Sequence, residues 1–119
     1  VGNVMRKSDL PVVGMDCSAT EMIHSMTRGG LGLIIICDGE RIEGIVTDGD
    51  LRRAMESRQS EFFNIKAIDI ATRSPKTINP HAKLIEAEKM MTHHKINSLL
   101  VVDNSKHLVG VIQIYDIKL

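Results

Sequence analysis

The chain has no tryptophan, one tyrosine and two phenylalanines in 119 residues, and this scarcity of rings narrows its roles. A core must be built from Ile, Val, Leu and Met, and stacking platforms for nucleic-acid bases are nearly missing. An excess of charge is lacking too: 15 basic and 15 acidic residues cancel, so the basic footprint of a DNA or RNA binder is not there and no nucleic acid is expected as partner. Cysteine is rare. Cys17 and Cys37 stand far apart and outside any C-x-x-C, which argues against a zinc site or a disulfide framework and fits a reducing, cytoplasmic setting. The longest apolar run, 31–37, is too short to span a bilayer, and the first residues show no charged-then-apolar signal pattern, so no membrane role is expected. The sequence also starts without Met and stops soon after a helix-start pattern; it is expected to be a piece of a longer chain.

What the sequence does contain is 43% hydrophobic residues, enough for an ordinary core, and a copy of itself. "LGLIIICD" at 31–38 matches "INSLLVVD" at 96–103, and after one extra loop residue Gly44, Asp50 and Leu51 match Gly110, Asp116 and Ile117. Upstream, Pro11, Ile23 and Met26 match Pro75, Ala87 and Met90, and "NVM" at 3–5 matches "DIA" at 69–71. Self-similarity at a fixed period signals a repeated structural unit. The copies are read as 1–55 and 67–119, joined by a polar connector at 56–66, "ESRQSEFFNIK".

Each copy reads β-α-β-β-α. A short extended piece (Val12 and Val13; Thr77 and Ile78) precedes an amphipathic helix, striped by Ala19, Met22, Ile23 and Met26 or by Leu84, Ala87, Met90 and Met91. The apolar runs 33–36 and 99–102 read as strands buried on both faces, followed by polar turns at 38–40 and 103–105. Second strands, 42–46 and 108–112, lead into helices starting near Thr47 and Gln113. The implied fold is α/β, with the two copies packed around a pseudo-twofold axis because neither could easily bury its apolar strands alone.

The stretch "GIVTDGDLRR", 44–53, carries the chemistry. Thr47-x-x-Asp50 before a helix is a capping-box pattern, and Asp48 suits the positive end of the helix dipole. The second copy keeps Asp116 but puts Gln113, a poor capping residue, in place of the hydroxyl, which leaves room for a role of the aspartate besides the box. A carboxylate at a helix start can accept from vicinal ribose hydroxyls, and a neighbouring hydroxyl with free N–H groups suits a phosphate. Cap and nucleotide ligand therefore both stand as readings.

Other residues tempt less. Asp48 and Asp50 form a close acid pair in the first turn of a helix, where the dipole accounts for both, so no residue is expected to be catalytic. His93 and His94 are helix neighbours that point apart, which disfavours a metal pair; they suit a helix C-terminus, with His94 or Lys95 alternatively facing a ligand phosphate. His24, His81 and His107 read as surface residues, and no metal or cofactor is expected. Arg52 and Arg53 read as a solvated helix face, or as groups reaching a phosphate or a partner subunit.

Two β-α-β-β-α copies, each with an apolar strand, an Asp-containing turn, a glycine-hydrophobic-hydrophobic strand and a final (S/T)-x-x-D, resemble a tandem pair of CBS domains, the regulatory Bateman module. The resemblance implies nucleotide binding in a cleft between the copies, with Asp50 and Asp116 on a ribose and Thr47 on a phosphate or ribose oxygen; Gln113 departs from the pattern. It further implies contacts from Leu31, Gly32 and Leu33, from Ile96, Asn97 and Ser98, and from the pieces ahead of the helices at Met5, Val12, Ala71 and Lys76. "RGGLGLIIICD" with "EGIVTDGDLRR" is similar to the C-terminal part of arabinose 5-phosphate isomerases; some sugar nucleotidyltransferases with CBS pairs carry a related string. The resemblance implies a parent isomerase of Kdo synthesis for lipopolysaccharide or capsule, whose catalytic domain lies elsewhere. The implied effectors are CMP-Kdo or CMP, ahead of adenine nucleotides. It implies a homodimer through the CBS pairs, within a higher oligomer of the full enzyme. The alternative is a structural oligomerisation module without ligand.

Overall fold

In the computed structural model, which describes residues 1–117, the chain divides into two compact units. One is Pro11–Ser74; the other joins Val1–Leu10 to the segment from Pro75 onward. The last two positions of the second sequence copy, 118–119, lie outside the described residues.

The Pro11–Ser74 unit contains β1 (Val12–Val13), α1 (Ala19–Gly29), β2 (Leu33–Asp38), β3 (Arg41–Thr47) and α2 (Asp48–Arg58), followed by 3₁₀ turns at Gln59–Asn64 and Ala67–Ile70. Its sheet has the order β1-β2-β3, with β1 parallel and β3 antiparallel to β2. Residues 33–36 are all buried, as a strand without a polar face must be. The turn to β3 is Gly39 and Glu40, with Gly39 at φ +62°. α1 starts where the Ser18 hydroxyl accepts from the Glu21 N–H and ends at Gly30 in the left-handed conformation, φ +69°. Met22 and Met26 lie on its buried face and pack with Ile34, Ile36 and Val46.

The stretch read as a polar connector is more than that. α2 continues to Arg58, and the following 3₁₀ turn drives Phe62, 2% exposed, into the core formed by α1 and β2. Ile65 and Ala67 join it. One ring and one branched side chain outweigh the polar composition around them, because burying either removes far more apolar surface than the flanking polar groups must give up.

The second unit contains β4 (Thr77–Ile78), α3 (Leu84–His94), β5 (Ser98–Val102) and β6 (Leu108–Gln113), with a 3₁₀ turn at Ile114–Asp116. Its sheet repeats the order, β4-β5-β6, with the same parallel and antiparallel pairings. Ala87 and Met91 of α3 pack on Leu99, Val101 and Ile112. The helix read as starting near Gln113 is a single turn within the described residues: Ile117 bonds back to Ile114 and is itself extended. One i→i+3 bond fixes several dihedrals for little return and does not propagate.

The units do not coincide with the sequence copies. Thr72 pairs with Ile45, the two exchanging N–H···O bonds of 2.9 and 3.0 Å, and so adds to the outer edge of β3. Arg6 pairs with Val111 of β6 in the same way. Each copy's leading segment thus lies on the sheet of the other. Gly44 and Gly110 admit these straps: a Cβ at Gly44 would stand 2.8 Å from the Thr72 carbonyl oxygen, and one at Gly110 2.7 Å from that of Arg6.

Candidate functional site

The strand-to-helix junction of the Pro11–Ser74 unit gathers most of the residues singled out there. Leu33 pairs with Thr47 at the end of β3, and the preceding Gly32 accepts the Asp48 N–H at 2.9 Å. Gly32 has φ +70°, a left-handed backbone that glycine adopts without strain, and this conformation brings its carbonyl to the Asp48 N–H. The capping box is complete. Asp50 N–H donates to Thr47 Oγ1 at 3.2 Å, and Thr47 N–H donates to Asp50 Oδ2 at 3.0 Å. The other carboxylate oxygen, Oδ1, accepts from Arg53 at 2.6 Å, while the arginine stays 72% exposed.

Leu31, half-buried, leads into this junction. Val12 and Ala71 are held further off. Val12 lies on β1 opposite Ile35, and Ala71 sits beyond β3 against Gly44, on the other side of the sheet order.

The second unit builds the same junction from different groups. Ile114 N–H donates to the Asn97 carbonyl at 2.9 Å, as Asp48 does to Gly32, and Ile96 N–H bonds to Met91 at the end of α3. Gln113 N–H donates to Asp116 Oδ2 at 2.9 Å. Asp116 therefore does for the backbone what Asp50 does, so the box itself gives this aspartate a role without the hydroxyl. The Gln113 amide turns across the strands and donates to Ser98 Oγ at 2.8 Å, between paired residues of β5 and β6. Sequence reading missed this link, whose only signal was a hydrogen-bonding residue at each of two paired positions. Met5 belongs to this unit, its Sδ 2.6 Å from where a Cβ of Gly110 would be, and the Lys76 carbonyl accepts the Leu100 N–H.

Charge is uneven between the two. Near the Lys76 end of the second unit, desolvation and then the positive charges of Lys76 and His93 hold the His94 imidazole below its ordinary range. On β3 of the first unit, hydrogen bonds from Arg73 and then Arg41 hold the Glu43 carboxyl below the usual carboxylate range. Burial raises both thiols, Cys17 with help from Glu21 and Cys37 from Glu43, so neither is primed as a nucleophile. Among the described residues no trio of His, Cys, Asp or Glu is placed to hold a metal ion, and no helix is long and apolar enough to cross a membrane.

The family model described as CBS domain matches residues 1–57 and 67–118. Arabinose 5-phosphate isomerase KpsF of Escherichia coli is 37% identical over 117 residues, covering 98% of this chain and 35% of that protein. Arabinose 5-phosphate isomerase KdsD of Yersinia pestis is 36% identical over 110 residues, covering 92% and 33%. The chain thus spans about a third of the length of the curated relatives it matches. Among solved structures, a CBS domain protein from Pyrobaculum aerophilum complexed with AMP superposes with a TM-score of 0.86 at 23% identity, covering 97% of this chain and 87% of that one. CBSX2 in complex with AMP gives 0.83 at 22%, covering 97% and 90%. At these identities the likeness is one of fold.

Proposed function

The chain belongs to the CBS domain family, and from that premise we propose that it is the nucleotide-sensing regulatory pair of a D-arabinose 5-phosphate isomerase. Catalysis is assigned to the part of the relatives' length that this chain does not span, and the setting to the cytoplasm. The effectors that suit an isomerase feeding Kdo synthesis are CMP-Kdo, CMP or an adenine nucleotide, and AMP is what two proteins of the same fold hold. Full-length chains are proposed to pair through this module.

The observation that carries the reading is Asp50. Its carboxylate is fixed at a strand-to-helix junction by the Thr47 N–H, and its second oxygen is turned outward, engaged by one exposed arginine. A ribose diol can take that oxygen because exposed ion pairs are weak. The candidate positions divide by unit, Leu31, Gly32, Leu33, Thr47 and Asp50 in one and Ile96, Asn97, Ser98, Gln113 and Asp116 in the other, and their chemistry is unequal. We read them as two nucleotide sites of different strength, the stronger at Asp50. Regulation then requires an effector that prefers one arrangement of the enzyme over another.

Isothermal titration of the full-length protein with CMP-Kdo, CMP, AMP and ATP tests this. At least one should bind at or below millimolar levels, and Asp50→Ala should abolish the stronger site. A second reading has its own support, since the complete box and the Arg53 pair leave both Asp50 oxygens occupied by the protein. If the module is only an oligomerisation element, Asp50→Ala costs about 0.5–2 kcal/mol of stability and no titration gives heat.

A further inference from the structure

Gly49 is the second residue of α2, a place where most residues favour the helix more than glycine does. Its φ is not in the left-handed range, so the backbone there does not require glycine. What glycine gives is room. A Cβ at Gly49 would stand 3.3 Å from Arg53 Nη1 and 3.6 Å from Nη2, so the guanidinium lies over bare backbone where it donates to Asp50 Oδ1 at 2.6 Å. The second sequence copy has Tyr115 in place of Gly49 and Leu119 in place of Arg53. The seat and the group that occupies it are replaced together.

We propose that Arg53 makes the Asp50 site selective for effectors that carry an anionic phosphate, accepting a nucleotide and refusing the bare nucleoside. The proposal rests on the nucleotide reading of Asp50 given above, and adds to it the class of ligand and the residue that sets it. A ribose diol that takes Asp50 Oδ1 competes for it with Arg53. A nucleoside leaves the displaced guanidinium to water, whereas a phosphate on the same ligand offers it the pair of oxygens that its planar fork binds best. Asp48 and Asp50 also put two carboxylates in the first turn of α2, and a phosphate beside them is repelled unless a cation is at hand. Arg53 supplies that cation from one turn along the same helix. Its side chain is 72% exposed, so it changes partners by rotating its own bonds while the backbone stays as it is.

Isothermal titration of the full-length protein with AMP and CMP, set against adenosine and cytidine, tests this at the site that Asp50→Ala removes. Wild type should bind the better nucleotide at least about tenfold more tightly than its nucleoside, the worth of a hydrogen bond to a charged group. In Arg53→Met nucleotide affinity should fall about tenfold. Nucleoside affinity should hold or rise by up to about fivefold, the worth of the exposed pair taken off Asp50, so the preference disappears. Arg53→Lys, which keeps the charge and loses the fork, should retain part of it. A preference that survives Arg53→Met overturns the role of Arg53, and so does a wild type that binds nucleoside and nucleotide alike; in both cases the nucleotide site at Asp50 stands. A wild type that binds none of the four overturns the site itself and this inference with it.

Discussion

At Gly44 and Gly110 a methyl group has nowhere to go, since the nearest atoms include the Thr72 and Arg6 carbonyl oxygens at 2.8 and 2.7 Å. Backbone held in a strand pair yields less easily than a side chain, so Gly44→Ala and Gly110→Ala should each lower stability by about 1–3 kcal/mol in urea unfolding, the range of overpacked sites. Gly14 supplies the control. Nothing lies within 4 Å of a Cβ there and its φ is not in the left-handed range, so Gly14→Ala should be neutral or stabilise by about 0.4–1 kcal/mol through the unfolded chain. The repeat comparison aligned Gly44 with Gly110 but held no reason for either, because the atom that forbids a side chain arrives from the other copy. Thr47 and Asp50 were legible in the opposite sense: a capping box is written in four consecutive residues, and the structure forms it as read. The Arg53 partner of Asp50 was not among the readings, which gave Arg53 as a solvated helix face or as a group reaching a phosphate or a partner subunit; an exposed arginine one turn on has many partners within reach.

Elements were readable where one local pattern decides. The runs at 33–36 and 99–102 read as buried strands and lie in β2 and β5, with Val102 alone partly exposed, and the methionine stripes face their cores: Met22 and Met91 are at most 1% exposed. The turn holding Phe62 was hidden because its signal is one ring in polar surroundings, and the single turn after Gln113 because a start pattern says nothing about propagation. The β3 edge has a pH dependence of its own. Arg73 and Arg41 hold the folded Glu43 pKa below its unfolded value, and the third group facing it, the Cys37 thiol, has its own pKa raised and stays neutral. A depressed carboxylate contributes stability that is fully present above the unfolded value, about 4.3, and is lost as pH falls through the folded one. Wild type should therefore exceed Glu43→Gln in urea midpoint at pH 7, and the gap should close as the pH is taken below about 4.

For the whole molecule, the division into units makes one cut of the chain sensible and another not. A fragment drawn along the sequence copy, 1–55, keeps β1, α1, β2, β3 and most of α2 but discards Phe62, Ile65 and Ala67 from their core, and Thr72 from the edge of β3. It also carries residues 1–10, whose partner strand, β6, it lacks. Losing Phe62 alone resembles a Phe→Ala truncation, about 3–5 kcal/mol, a large share of what so small a domain has. A fragment drawn along the compact unit, 11–74, is continuous in sequence and keeps every one of those groups. We expect 11–74 to show α/β circular dichroism and a cooperative urea transition, while 1–55 shows neither under the same conditions. Phe62→Ala in 11–74 should move that fragment most of the way towards 1–55. Equal folding of the two fragments would mean that the chain's cores follow its repeats after all, and that the crossing straps contribute little to either.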